Sequence, residues 1–195
     1  MKKNYRELIN SATDKELQNS LYLTQVMILI VSFILGMFLF DDLAEFTALF
    51  IWDLRQIILW GGIAGVAVVL LDLILMKLLP SHYYDDGGLN ERIFRNRSIP
   101  QIAFIAAIVA VPEELLFRGM IQTHFGLISA SIIFAIVHYR YLFNWYLFLN
   151  VIGLSFFIGY VYLQTNNILV TIFMHFLIDF LLGCHIKQQE QEGIN

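Results

Sequence analysis

Six runs of about twenty apolar residues dominate this chain, at 21–40, 57–79, 101–121, 126–143, 146–163 and 167–186. A run of that length crosses the hydrocarbon of a bilayer as an α-helix. In lipid every backbone N–H and C=O must bond within its own segment, so helices are what such runs can form. The expected fold is therefore all-α, a polytopic transmembrane helical bundle of about six to seven spans with a buried polar site. Composition agrees: 58% of residues are hydrophobic, 14% are charged and the mean hydropathy is +0.69, against roughly 25% charged in a soluble domain. The chain divides into a polar N-terminal tail (1–20), N-terminal spans with an amphipathic loop (21–100), a core (101–186) and a polar C-terminal tail (187–195). The first 20 residues are polar and mixed in charge, which is no signal peptide. A lone Cys184 excludes an intramolecular disulfide and has no Cys partner for a metal. Nothing in the composition points to nucleic acid; the medium of this chain is the lipid bilayer of a cell membrane.

Loop charge gives an orientation. With six spans and the N-terminus inside, ten of the twelve Lys and Arg residues fall on the cytoplasmic side or its border. These include Lys2, Lys3, Arg6 and Lys15 of the tail and Arg92, Arg95 and Arg97 of the longest loop. Only Arg55 is outside, and Arg118 lies within a span, as the positive-inside rule expects. The segment 41–55 holds the seventh span if there is one, but Asp41, Asp42, Glu45 and Asp53 favour an interfacial piece. In the loop 80–100, Asp85-Asp86-Gly87-Gly88 marks a turn, and 89–97 suits either a short amphipathic surface helix or a solvated loop. Gly61 and Gly65 have the small-xxx-small spacing that lets two helices approach closely.

Ionisable groups inside a bilayer cost at least about 2.5 kcal/mol each and usually mark a functional site. Here they gather in the C-terminal half. Glu113, Glu114 and Arg118 lie in Val-Pro-Glu-Glu-Leu-Leu-Phe-Arg-Gly, His138 ends an apolar string, and His175 precedes Asp179 by four. Glu114 and Arg118 share a helix face with the acid on the N-terminal side, the favourable order for an ion pair. Glu113 is rotated from Glu114 by about 100° and looks elsewhere. His175 and Asp179 also share a face, so the carboxylate can orient the imidazole or share a ligand with it. Counting about 1.5 Å per residue from the turns near 121–126 and 164–167, all four of Glu113, His138, His175 and Asp179 fall within roughly one helical turn of depth. Three helices bring acid and imidazole to one level.

These strings resemble the CPBP intramembrane proteases, which group CAAX prenyl proteases with bacteriocin-processing enzymes and are also called the Abi family. Glu113-Glu114-Leu-Leu-Phe-Arg118 matches the family's EExxxR, Phe134-Ala-Ile-Val-His138 its FxxxH, and His175-Phe-Leu-Ile-Asp179 its HxxxN/D. Order and spacing agree over about residues 100–186, while the first two spans carry no diagnostic match. The resemblance implies a buried endopeptidase site. Glu113 would activate water with help from His138, His175 and Asp179 would stabilise the oxyanion or hold a metal, and Glu114 and Arg118 would form the supporting pair. Many members carry Asn where this chain has Asp179. An ionised Asp only accepts hydrogen bonds, which favours metal ligation or orientation of His175, whereas an Asp kept protonated by burial could donate.

The chemistry is coherent from the residues alone. Peptide hydrolysis needs a deprotonated water, an acid for the leaving amine and a stabilised oxyanion. Glu113, His138, His175 and Asp179 can supply these without a metal, or can ligate Zn2+ with an open position for water; both mechanisms use the same residues. HExxH and GxSxG are absent. The expected substrate is a membrane-associated or lipidated protein or peptide, through CAAX-type or leader-peptide processing. Two alternatives stand beside it: a proton or ion transporter using the same acids and imidazoles as a relay, and a non-enzymatic immunity or partner-binding membrane protein. The loop charges place the 121–126 and 164–167 turns outside, and with them a site nearer the outer face. The family resemblance implies a site open to the cytosol.

Overall fold

A computed structural model describes residue 7 and residues 9–193; Lys2, Lys3 and Arg6 of the N-terminal tail lie outside the described residues. Among those described there is no strand. Helix α1 (Asp14–Leu39) starts on a capping box in which Thr13 and Glu16 satisfy each other's backbone. A short α2 (Leu43–Thr47) follows, capped by Asp42. Helix α3 (Leu54–Leu78) contains a π-helical turn at Ile57–Gly62. Next come the surface helix α4 (Leu89–Phe94) and α5 (Ile99–Glu114), which runs on as a π-helix through Leu115–Gln122. Helix α6 (Thr123–Val137), a 3₁₀ segment (Tyr139–Phe143), α7 (Trp145–Thr165) and α8 (Ile168–Gln191) complete the chain.

Five helices are long and apolar enough to cross a membrane among the described residues, fewer than the six to seven expected. The difference lies at 101–121 and 126–143. These do not form two full spans but one helical run, Ile99–Val137, broken at Gly126. Gly126 has φ +82°, a conformation that glycine adopts without a Cβ penalty. The chain turns back there: the rings of Phe117 and Phe134 are 4.8 Å apart, whereas an unbroken helix would separate them by about 25 Å. The returning limb, from Leu127 to Val137, is only about 16 Å long, half a bilayer's hydrocarbon thickness. The 3₁₀ segment carries the chain the rest of the way, to where Asn144 bonds the carbonyl of His82 at 3.2 Å. Hydropathy counts the return as a span because it is apolar; the chain does reach the other end, but as a half-length helix and a 3₁₀ segment and not as one membrane-long helix.

Segment 41–55 holds no helix long enough to cross. It lies against one end of the bundle, where Ile168 N–H donates to Leu49 O at 3.0 Å and Asn167 Nδ2 to Ile51 O at 2.7 Å. Helix α4 turns Ile93 inward, 5% exposed, and Arg92 reaches Asp14 at 2.6 Å. It is docked on the ends of α1 and α8. Phe94 fills the space that Gly183 leaves, where a Cβ would come within 2.9 Å of its ring. Gly61 and Gly65 bring α3 onto α8: a Cβ at Gly61 would stand 2.6 Å from Val170 O, and one at Gly65 3.1 Å from Met174 O. Small residues set the helix spacing there, as expected of association in lipid.

Candidate active site

Glu113 and Glu114 sit at the end of α5, one residue after Pro112. Proline has no N–H to give the preceding turn, and the helix widens beyond it into the π-helical Leu115–Gln122. Such local π geometry is frequent at functional sites. Being adjacent, the two carboxylates diverge by about 100° around the helix. Glu113 looks toward α1 and the end of α6, Glu114 toward α8.

Glu114 is fully buried and serves two partners. Arg118 Nε approaches its Oε2 at 3.3 Å, and His175 Nδ1 lies 2.9 Å from its Oε1. The Arg118 guanidinium, also fully buried, reaches Ser155 Oγ of α7 at 3.5 Å and lies 5.7 Å from the centre of the Phe134 ring. Glu114 is thus more than the partner of Arg118, because it also orients an imidazole. A carboxylate only accepts, so His175 Nδ1 carries the proton and Nε2 is turned toward Asp179, 3.6 Å away.

His138 repeats the pattern on the other side. Its Nδ1 lies 2.9 Å from Phe134 O, a carbonyl that can only accept, so Nδ1 is again the protonated nitrogen. Its Nε2 faces Glu113 Oε2 across 4.0 Å. Phe134 stacks on the imidazole at 4.1 Å between centroids, and Tyr141 lies nearly parallel to it at 6.2 Å. Aromatic rings and a backbone bond hold the ring plane. Both histidines therefore present Nε2 to the site with Nδ1 tied back.

Burial grades across the cluster. The Glu114 and Arg118 side chains are at 0% exposure, Glu113 at 8%, His138 at 18% and Asp179 at 28%. The more open edge belongs to His138 and Asp179. His138 runs into the segment that meets the 80–90 loop, and Asp179 lies two turns before Lys187, which bonds Arg97 O at 2.6 Å. The open edge is thus the one nearer the basic end of the bundle.

The structure brings all six residues singled out in the sequence into one connected group, and adds others. Gln25 of α1 is buried and donates from Nε2 to Glu113 Oε1 at 3.1 Å. Ser155 and the Phe134 ring complete the surroundings of Arg118. Gln25 had a signal available, as a polar residue within the first apolar run, but a neutral amide there reads equally as helix packing. Among the described residues no three His, Cys, Asp or Glu side chains converge as a metal-binding group. His138 faces Glu113, and His175 lies between Glu114 and Asp179.

Long apolar helices around buried acids and imidazoles define an integral membrane protein with an intramembrane polar site. The comparisons with known proteins narrow this. A family model described as type II CAAX prenyl endopeptidase Rce1-like matches residues 95–181. The uncharacterized protein YpbD of Bacillus subtilis (strain 168) is 45% identical over 167 residues, covering 85% of this chain and 87% of the relative. The UPF0177 protein YxdF of Lactococcus lactis subsp. lactis (strain IL1403) is 31% identical over 148 residues, covering 70% and 80%. No solved structure matches the chain. The chain belongs to the CPBP family of intramembrane endopeptidases, and its residues 95–181 match the Rce1-like model.

Proposed function

We propose that this protein hydrolyses a peptide bond in a membrane-associated or lipidated protein or peptide, with Glu113 and His138 activating the attacking water. The carrying observation is the 4.0 Å gap between Glu113 Oε2 and His138 Nε2. It is too long for a direct hydrogen bond and suits one water held by both groups. Glu113 takes a proton from that water as its oxygen bonds to the scissile carbonyl carbon. The resulting oxyanion lies toward His175, whose Nε2 donates to it when the ring is protonated between Glu114 and Asp179. The tetrahedral intermediate collapses with cleavage of the C–N bond, and the proton held by Glu113 passes to the leaving amine. The products are a carboxylate and an amine. Desolvation strengthens each of these interactions relative to water.

Glu114 and Arg118 support this chemistry from below by orienting His175. Glu113, His138 and His175 carry these steps without a metal. The site belongs to the cell membrane and opens toward the cytosol, since its exposed edge is nearer the basic end, which the positive-inside rule places inside.

The test is incubation of the purified protein with a farnesylated CAAX peptide and with membrane-embedded leader peptides. Wild type should cleave at least one of them, and Glu113→Ala, His138→Ala and His175→Ala should not. Full cleavage by all three variants sinks the reading. A chelator should leave the wild-type rate unchanged; loss of activity restored by Zn2+ would instead assign a metal to the same residues.

A further inference from the structure

Gln25 lies outside the matched stretch 95–181 and apart from all three motifs. It is 5% exposed, in the middle of α1. Its Nε2 donates to Glu113 Oε1, while its own Oε1 is buried without a hydrogen-bond partner among the described residues. Most buried side-chain polar atoms have a hydrogen-bond partner, and a buried atom without one calls for an explanation. This one leaves its acceptor unmet in order to set its donor on Glu113. The direction is fixed, because an ionised carboxylate only accepts.

The other polar side chains near it on α1 are spent within the helix. Thr24 bonds Ser20 O at 2.8 Å, and Ser32 bonds Ile28 O at 2.8 Å. Gln25 is thus the α1 side chain that reaches the acid. A glutamate's terminal torsion is broad and has no sharp preferred setting. Holding Oε1 removes that freedom and leaves Oε2 facing His138 Nε2.

We propose that Gln25 is a positioning residue for peptide hydrolysis, its amide fixing the Glu113 carboxylate so that Oε2 and His138 Nε2 hold one water between them. This rests on the endopeptidase reading above. It makes the first span part of the working site and not merely a neighbour of it.

The experiment uses the full chain with the farnesylated CAAX peptide and the leader peptides. Gln25→Met keeps length and shape but loses the donor. It should lower kcat roughly 10- to 100-fold, the scale of a misplaced reacting group, with KM within about twofold and the unfolding temperature unchanged. In a Glu113→Gln background the same change should alter the residual rate by less than about twofold, since it acts through Glu113. Gln25→Asn stays polar but ends one methylene short, so it should also lower kcat, and it reads the same quantity if the Met variant misfolds. A Gln25→Met enzyme with wild-type kcat, or one that loses as much in the Glu113→Gln background, overturns the proposal alone. A wild type that cleaves none of the probes overturns the endopeptidase reading, and the proposal with it.

Discussion

Glu113 and Glu114 are neighbours in sequence with opposite surroundings, and that difference predicts opposite outcomes on substitution. Glu114 is locked between Arg118 and His175 at zero exposure. Removing its charge leaves a buried guanidinium uncompensated, and breaking such a pair costs about 3–5 kcal/mol. Glu114→Gln should therefore unfold at a clearly lower temperature in detergent. Glu113 meets Gln25 and His138, has no ion pair with an arginine among the described residues and keeps some exposure. Glu113→Gln should keep the wild-type unfolding temperature and lose roughly 10²- to 10⁴-fold in kcat, the range for a general base. Equal stability of the two variants would mean that these roles are misassigned. The charged members of the group were legible in the sequence because charge in an apolar run is costly and their spacing puts them at one depth. The hydrogen-bonding direction was not legible. That both imidazoles give Nδ1 away, one to Phe134 O and one to Glu114, depends on side-chain settings that spacing does not fix.

At the scale of helices, glycines decide two features that apolar periodicity misses or only suggests. Gly126 reverses the chain and turns an expected full span into a half-length limb. The reversal itself was readable from the break between the apolar runs near 121–126, but a window of apolar residues carries no sign that the return is a half-length helix completed by a 3₁₀ segment. The Gly61/Gly65 spacing, by contrast, was readable, and the close approach of α3 to α8 follows from it. It also offers a sharp comparison. A Cβ at Gly61 meets a backbone oxygen at 2.6 Å, whereas one at Gly62 finds the Phe173 ring at 3.6 Å and Ile58 Cγ2 at 4.0 Å, ordinary contacts. Gly61→Ala should lose about 1–3 kcal/mol, the usual cost of overpacking, while Gly62→Ala should be close to neutral. Thermal unfolding of both variants in detergent checks this, and equal behaviour would contradict the packing described. Because α8 carries His175 and Asp179, Gly61→Ala should also lower activity, although the glycine touches no polar group of the site.

At the scale of the whole molecule, the two ends of the bundle differ in charge. Segment 41–55, the turn at Gly126 and the turn at Asn166 share one end, as the Phe40–His124 ring contact at 4.7 Å and the Ile168–Leu49 bond at 3.0 Å show. That end carries Asp41, Asp42, Glu45 and Asp53. Arg92, Arg97 and Lys187 lie at the other, Arg92 paired with Asp14 and Lys187 bonded to the Arg97 carbonyl. Two expectations that conflict in the sequence are compatible in this arrangement. The turns used to measure depth lie at the acidic end, yet the site stands near mid-depth with its exposed edge nearer the basic end, so turns outside and an opening inside can hold together. The conflict arose because depth was counted from one end of each helix, which says nothing about the end from which a site is entered. Single cysteines test the orientation directly in a Cys184→Ala background. Thr47 and Ser81 are both exposed, one at each end. A membrane-impermeant maleimide added to intact cells should label Thr47→Cys and should reach Ser81→Cys only after permeabilisation. The reverse pattern would invert the topology and open the site to the exterior, and a substrate class delivered from the cytosol would then be untenable.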